Sequence, residues 1–140
     1  MKKEVTEEFA DQVLKLGKEY KVKYCVKYTN IEILNLKTQE IRFINIHEFI
    51  HTHCTDYLLS YANGLKITSE TNFSEIDKRI IILHFSIFIT VPNLIDGQDS
   101  SHVETFSGLS ELILYIKAVE WLIKYRKDNP KLSKFWINKF

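Results

Sequence analysis

Apolar side chains recur at every second position between residues 80 and 92. The alternating set consists of Ile81, Leu83, Phe85, Ile87, Ile89 and Val91. Because successive side chains of a strand point to opposite faces of a sheet, this spacing predicts one long strand with a fully buried face. The apolar side chains from Ile81 to Ile89 are therefore expected to be buried against helices, and the strand is expected to be central in its sheet.

The rest of the chain has the periodicities of shorter strands and of helices. Alternation predicts strands at residues 22–28, 31–37, 41–46 and 65–71. Apolar residues three and four apart predict helices at residues 6–20, 45–63 and 107–127. Residues 93–106 are polar and predict a long loop that contains Asp96-Gly97. The order α-β-β-β-α-β-β-α predicts an α+β fold, with three helices flanking an antiparallel or mixed sheet of about five strands.

The composition limits the class of protein. With 140 residues, of which 45% are hydrophobic, the chain can bury a core without disulfides or metals. A single globular domain over residues 1–140 is therefore expected. The formal net charge of +1 argues against a nucleic-acid partner, which usually requires a basic face.

Three features of the sequence bear on the location of the protein. Cys25 and Cys54 are too few for a disulfide framework. The first residues lack the apolar stretch of a signal peptide. The most apolar run, residues 80–91, is too short to cross a bilayer as a helix. The expected location is thus the cytoplasm, without membrane association.

One motif has a direct chemical interpretation. Residues 47–51 read His-Glu-Phe-Ile-His, which matches the pattern H-E-x-x-H. Residues four apart on a helix share one face, so His47 and His51 could both bind one zinc ion. Glu48 could then take a proton from a metal-bound water as the general base of a hydrolase. Under this interpretation zinc is the cofactor, and a third protein ligand is required.

In this motif, and in the helix and three strands predicted before it, the first half of the chain resembles the zincin metallopeptidases. The resemblance implies a zinc-dependent hydrolase with His47 and His51 as metal ligands and Glu48 as the catalytic residue. The extended pattern of one branch of that family has a glycine at position 54 and a histidine at position 57, whereas this chain has Cys54 and Tyr57.

The alternative interpretation of the motif involves no metal. The two histidines then lie on the polar flank of an amphipathic helix, in contact with solvent or with neighbouring side chains. Cys54, three residues after His51, is then a small core residue rather than a metal ligand or a nucleophile.

The last predicted helix is apolar over most of its circumference. One stripe contains Leu109, Leu112, Ile113, Ile116, Val119 and Ile123, and a second set contains Leu114, Ala118, Trp121, Leu122 and Tyr125. Such a helix must be covered on more than one side. The residues expected to form the interface of a homodimer or another protein complex are Trp121, Tyr125, Phe135 and Trp136. In the alternative, the tail after Pro130 turns back and covers the helix within the same chain.

From the residues alone, we expect a small, non-enzymatic accessory domain of inhibitor or immunity type. It would bind a protein partner, a ligand or a second copy of itself, and it would need no cofactor. The alternative is the zinc-dependent hydrolase that uses His47, Glu48 and His51.

Overall fold

The computed structural model describes residues 3–77 and 80–137 and has an α+β fold, which confirms the predicted class. The chain divides into two compact units, residues 1–57 (unit 1) and 58–140 (unit 2). The elements in chain order are α1 (Lys3–Leu14), β1 (Tyr20–Cys25), β2 (Asn30–Asn35), β3 (Ile41–Asn45), α2 (Ile46–Glu48), a π-helical segment (Phe49–Cys54), α3 (Thr55–Leu59), β4 (Lys66–Asp77), β5 (Ile80–Ile95), β6 (Gln98–Gly108), α4 (Glu111–Asp128) and a 3-10 turn (Pro130–Leu132). The expectation of a single domain remains a prediction.

Unit 1 is built on the antiparallel sheet β1-β2-β3, so the three strands predicted at residues 22–28, 31–37 and 41–46 are confirmed and form a meander. The buried residues of its strands are Ile31, Ile33 and Ile44. Helix α1 packs against β1, and the rings of Phe9 and Phe49 meet edge-on with their centres 6.4 Å apart. The Glu7 carboxylate of α1 accepts a hydrogen bond from the backbone N–H of Tyr24 at 2.9 Å. This bond occupies a donor on the outer edge of β1.

The helix after β3 begins as predicted, because the Asn45 side chain accepts a hydrogen bond from the backbone N–H of His47 at 2.8 Å. It continues through the π-helical segment, where the Thr55 N–H donates to the Ile50 carbonyl five residues earlier. A π turn is wider than an α turn. Ile50 and Cys54, on either side of this wider turn, are both buried.

Unit 2 is built on a second antiparallel sheet, β4-β5-β6. The predicted loop at residues 93–106 is wrong, because β5 runs to Ile95 and β6 begins at Gln98. Asp96 and Gly97 both have positive φ, 51° and 77°, and join Ile95 to Gln98 in a two-residue hairpin. Two positive φ values are what such a turn needs to match the twist of its strands. The Asp-Gly pair was therefore a hairpin signal inside a segment that polarity alone favoured as a loop.

The prediction that one face of β5 is buried from Ile81 to Ile89 is only partly right. Ile87 and Ile89 have no exposed surface, but Ile81 is 64% exposed and Leu83 is 47% exposed. The ladder between β5 and β6 starts at the pair Phe85–Gly108. Residues 80–84 therefore extend beyond the third strand, with only β4 beside them in the sheet.

Helix α4 packs on β5 and β6. Its N-cap is Ser110, whose Oγ accepts a hydrogen bond from the Ile113 N–H at 3.4 Å, so the helix begins later than residue 107, where the sequence predicts its start. After the 3-10 turn the tail folds back, because the Asn63 N–H donates to the Phe135 carbonyl at 2.7 Å and the Ile137 N–H donates to the Tyr61 carbonyl at 3.1 Å.

Candidate functional site

The two histidines of the H-E-x-x-H motif lie side by side. His47 belongs to α2 and His51 to the π-helical segment, and their ring centres are 4.3 Å apart with the planes tilted by 41°. Both side chains are exposed, as is that of Glu48. The helix therefore brings the predicted metal ligands together on an exposed surface of unit 1.

A metal site of three ligands is not assembled around this pair. Within residues 3–77 and 80–137, no three histidine, cysteine, aspartate or glutamate side chains form a group that could hold a metal ion. His53, the next histidine, is instead half-buried and stacks on Phe49 with 6.2 Å between ring centres. The catalytic assignment of Glu48 and the metal assignment of His47 and His51 stay predictions.

Cys54 is part of the core of unit 1. Its side chain is 1% exposed, and burial raises the pKa of its thiol far above the usual range. A thiol with a raised pKa stays protonated at neutral pH, and only the thiolate is an effective nucleophile or metal ligand. This geometry favours the interpretation of Cys54 as a small core residue.

The predicted aromatic residues of α4 form one cluster with β6 in unit 2. Trp121 and Tyr125 stack on each other with ring centres 5.0 Å apart. The imidazole of His102 stacks on Trp121 at 5.9 Å and on Tyr125 at 5.7 Å, with interplanar angles of 22° and 16°. Phe106 meets Trp121 edge-on at 6.1 Å. All four side chains are half-buried, so the cluster presents ring surface to solvent.

A carboxylate completes this cluster. Glu104 Oε2 lies 3.0 Å from Nε2 of His102, and the two side chains remain 36% and 41% exposed. Residues 102, 104 and 106 point to the same face of the sheet because they alternate along β6. We name the five side chains His102, Glu104, Phe106, Trp121 and Tyr125 the aromatic surface.

The tail contributes to the packing of α4 within the same chain. Trp136 is 8% exposed and meets Tyr125 edge-on with 6.0 Å between ring centres. Phe135 is half-buried. Of the four side chains predicted for an interface, Trp136 is thus mostly covered, whereas Trp121, Tyr125 and Phe135 keep accessible area. The interface itself stays a prediction.

Sequence reasoning missed three members of the aromatic surface, His102, Glu104 and Phe106. They lie in the segment predicted as a loop, and a loop prediction assigns no common face to alternate residues. The available signal was the Asp96-Gly97 pair, because a hairpin at that point makes the following residues a strand.

Comparison of the chain with models of protein families, with curated proteins and with solved structures found no match. Among the helices in the described part of the chain, none has both the length and the apolar character needed to span a bilayer.

Proposed function

We propose that the protein is a small, non-enzymatic interaction domain that acts in the cytoplasm and self-associates through its aromatic surface. The observation that carries the proposal is the half-buried stack of Trp121, Tyr125 and His102 on α4 and β6. Trp and Tyr are enriched among the residues that dominate binding energy at protein interfaces. Their rings bury a large area at a small cost in side-chain entropy.

The packing of the cluster supports a docking role as well as a structural one. Rings that stack on one another are held in place before binding, so less conformational entropy is lost when a partner covers them. The carboxylate of Glu104 and the imidazole of His102 add a polar contact pair beside the rings. A partner of the same kind, a second copy of the chain, fits the accessory role expected from the sequence.

The test of self-association is sedimentation of the purified protein with one substitution at a time. Trp121→Glu should yield a folded monomer, because a charge placed in a docked aromatic surface would be buried without a partner. Lys124→Gln, an exposed position of α4, changes the charge by the same amount and should leave the dimer intact. A wild-type monomer at micromolar concentration contradicts the proposal.

The zinc-dependent hydrolase is the second candidate, because the imidazoles of His47 and His51 lie only 4.3 Å apart. In this candidate Glu48 is the general base, and a further ligand must complete the site. Zinc analysis of the purified protein tests it. Stoichiometric zinc that is lost in His47→Ala, but retained in the control His84→Ala on β5, would favour the hydrolase.

A further inference from the structure

Across residues 3–77 and 80–137, the two sheets have four end strands, and three of them carry features that oppose pairing with another chain. In unit 1, β1 has its Tyr24 N–H bonded to Glu7, and β3 has only five residues. In unit 2, β4 begins with Lys66, and its ladder with β5 is shifted at the far end, between Glu75 and Asp77. Side-chain cover, shortness, lysine side chains and irregular register are established ways in which proteins protect sheet edges.

Strand β6 lacks these features. It has 11 residues and pairs with β5 in unbroken register from Gly108 to Gln98. Its sequence, Gln-Asp-Ser-Ser-His-Val-Glu-Thr-Phe-Ser-Gly, contains neither lysine nor proline, the residues that most often blunt an edge. A long and regular edge with free backbone groups on its outer side is a template for another strand.

The middle of β6 has a sequence that complements itself. Residues 101–105 read Ser-His-Val-Glu-Thr, so His102 and Glu104 flank Val103 symmetrically. When two copies of this strand run antiparallel with Val103 opposite Val103, each histidine lies opposite a glutamate and each serine lies opposite a threonine. Val103 is 54% exposed and would meet its own copy at the centre.

We propose that two copies of the chain pair antiparallel through β6, with the two-fold axis at Val103, to form a continuous six-stranded sheet. This inference rests on the proposed self-association and specifies its geometry. Opposite charges directly across two strands stabilise their pairing, and like charges destabilise it. The proposed register places two imidazole–carboxylate pairs side by side, His102 against Glu104 of the second copy and the reverse, which is the same contact that the two side chains make within one chain at 3.0 Å.

The neighbouring registers are less favourable. A two-fold axis perpendicular to the sheet keeps each residue on its own face. Because residues directly opposite each other share a face, the axis must pass midway between the two copies of one residue. An axis at His102 would place the two imidazoles opposite each other, and an axis at Glu104 would oppose two carboxylates. Only the axis at Val103 pairs imidazole with carboxylate.

The same arrangement covers the aromatic surface. Residues diagonal to each other across an antiparallel pair lie about 7–8 Å apart, which is the relation of His102 to His102 of the second copy. Because Trp121 stacks on His102, the two Trp121 rings would lie close to the axis. Both α4 helices would lie on the same face of the joined sheet, and the half-buried rings would become buried.

Cysteine cross-linking tests the register. In a Cys25→Ser background, Val103→Cys should form a disulfide-linked dimer on mild oxidation, because residues opposite each other on the axis have Cα atoms about 4.5–5.5 Å apart, within disulfide range. The matched control is Thr105→Cys on the same face of β6, which would lie opposite Ser101 and should stay unlinked. A dimeric protein in which both variants cross-link equally, or neither does, overturns the pairing but leaves self-association standing.

Mixing two charge variants tests the contacts across the axis without relying on cross-links. His102→Glu places two carboxylates opposite each other twice, and Glu104→Lys replaces the carboxylate opposite each His102 with an ammonium group that cannot accept a hydrogen bond. Each variant alone should therefore dimerise roughly tenfold more weakly than the wild type. Mixed together, they should form a heterodimer, because Glu at 102 then faces Lys at 104 and His102 faces Glu104. Within each chain the pair stays broken, so recovery reports contacts between copies.

The outcomes separate the two proposals. If both variants are folded but their mixture dimerises no more tightly than either variant alone, the pairing through β6 is overturned. If a charge variant does not fold, the cross-linking comparison still decides the register. A wild-type protein that is monomeric at micromolar concentration overturns both the pairing and self-association, and it leaves the β6 edge to a strand of a different protein.

Discussion

The two halves of β5 have the same alternation of side chains and opposite surroundings. Ile87, Ile89 and Val91 have no exposed surface, whereas Ile81 and Leu83 on the same face are 64% and 47% exposed. The inner half lies between β4 and β6, and α4 packs on β5 and β6, whereas residues 80–84 of the outer half pair only with β4 among the described strands. Alternation therefore determines which side chains share a face, while a third strand and a helix determine whether that face is buried.

The outer half therefore leaves an apolar patch at the end of the sheet. Phe73 on β4, which pairs directly with Leu83, is 70% exposed. Exposed apolar side chains are common singly, but three on one face of two paired strands are a contiguous patch. The difference in burial between the two halves of β5 predicts different losses of stability when single side chains are shortened, and these losses can be measured one residue at a time.

The largest effect is expected at the covered half. Ile89→Ala should lower the free energy of unfolding by roughly 2–5 kcal/mol, because it removes buried methyl groups and leaves a cavity. Urea denaturation of the wild type and the variant measures the difference. An effect below about 1 kcal/mol would show that α4 does not cover this face as described.

The next largest loss of stability is expected at the hairpin between β5 and β6, which brings β6 alongside β5. Gly97→Ala should cost roughly 1–2 kcal/mol, because Gly97 has a φ of 77°, where a Cβ is unfavourable. Gly17→Ala is the matched control, since a Cβ there meets nothing within 4 Å. Equal stability of the two variants would argue that residues 93–106 are the loop that the sequence favoured.

A smaller effect is expected at the start of the covering helix. Ser110→Ala should cost about 1 kcal/mol, because the Ile113 N–H loses its side-chain acceptor. Ser107→Ala, in which the removed hydroxyl lies 2.9 Å from the hydroxyl of Ser86 on the exposed face, should cost less. The reverse order in thermal unfolding would mean that Ser107, at the start of the helix predicted from the sequence, is the capping residue.

The smallest effect is expected at the uncovered half of β5. Leu83→Ala should change stability by less than about 1 kcal/mol, because the side chain is already half in contact with water. The measurement is the same urea titration as for Ile89→Ala. A loss comparable to that of Ile89→Ala would show that something covers the outer half in solution.

Several parts of the fold could be predicted because their signals are local. The start of a helix at Asn45 can be predicted because an asparagine side chain can cap the first turn and because an apolar stripe follows it. The meander of unit 1 follows from alternation alone. Strand β6 could not be predicted in this way because its polar residues resemble a loop, and it is a strand because β5 supplies its hydrogen bonds.

The candidate site likewise contains residues that the sequence predicts and residues that it does not. Trp121 and Tyr125 could be predicted, because they widen the apolar stripe of a helix beyond what one sheet can cover. His102 and Glu104 could not, since their place beside those rings depends on which strand lies next to α4. The adjacency of His47 and His51 follows from helical spacing, but whether a third ligand lies nearby depends on elements distant in sequence.

The amino-acid sequence by itself thus determines the α+β class, the order of most elements and the faces that side chains share, because these depend on periods of 2 and 3.6 residues. Tertiary structure alone decides that β6 is a strand, that Ile89 is buried while Leu83 is exposed, and that His102 stacks on Trp121. The physical reason is that burial and long-range pairing depend on where an element ends relative to its neighbours. The period of an element contains no information about that end.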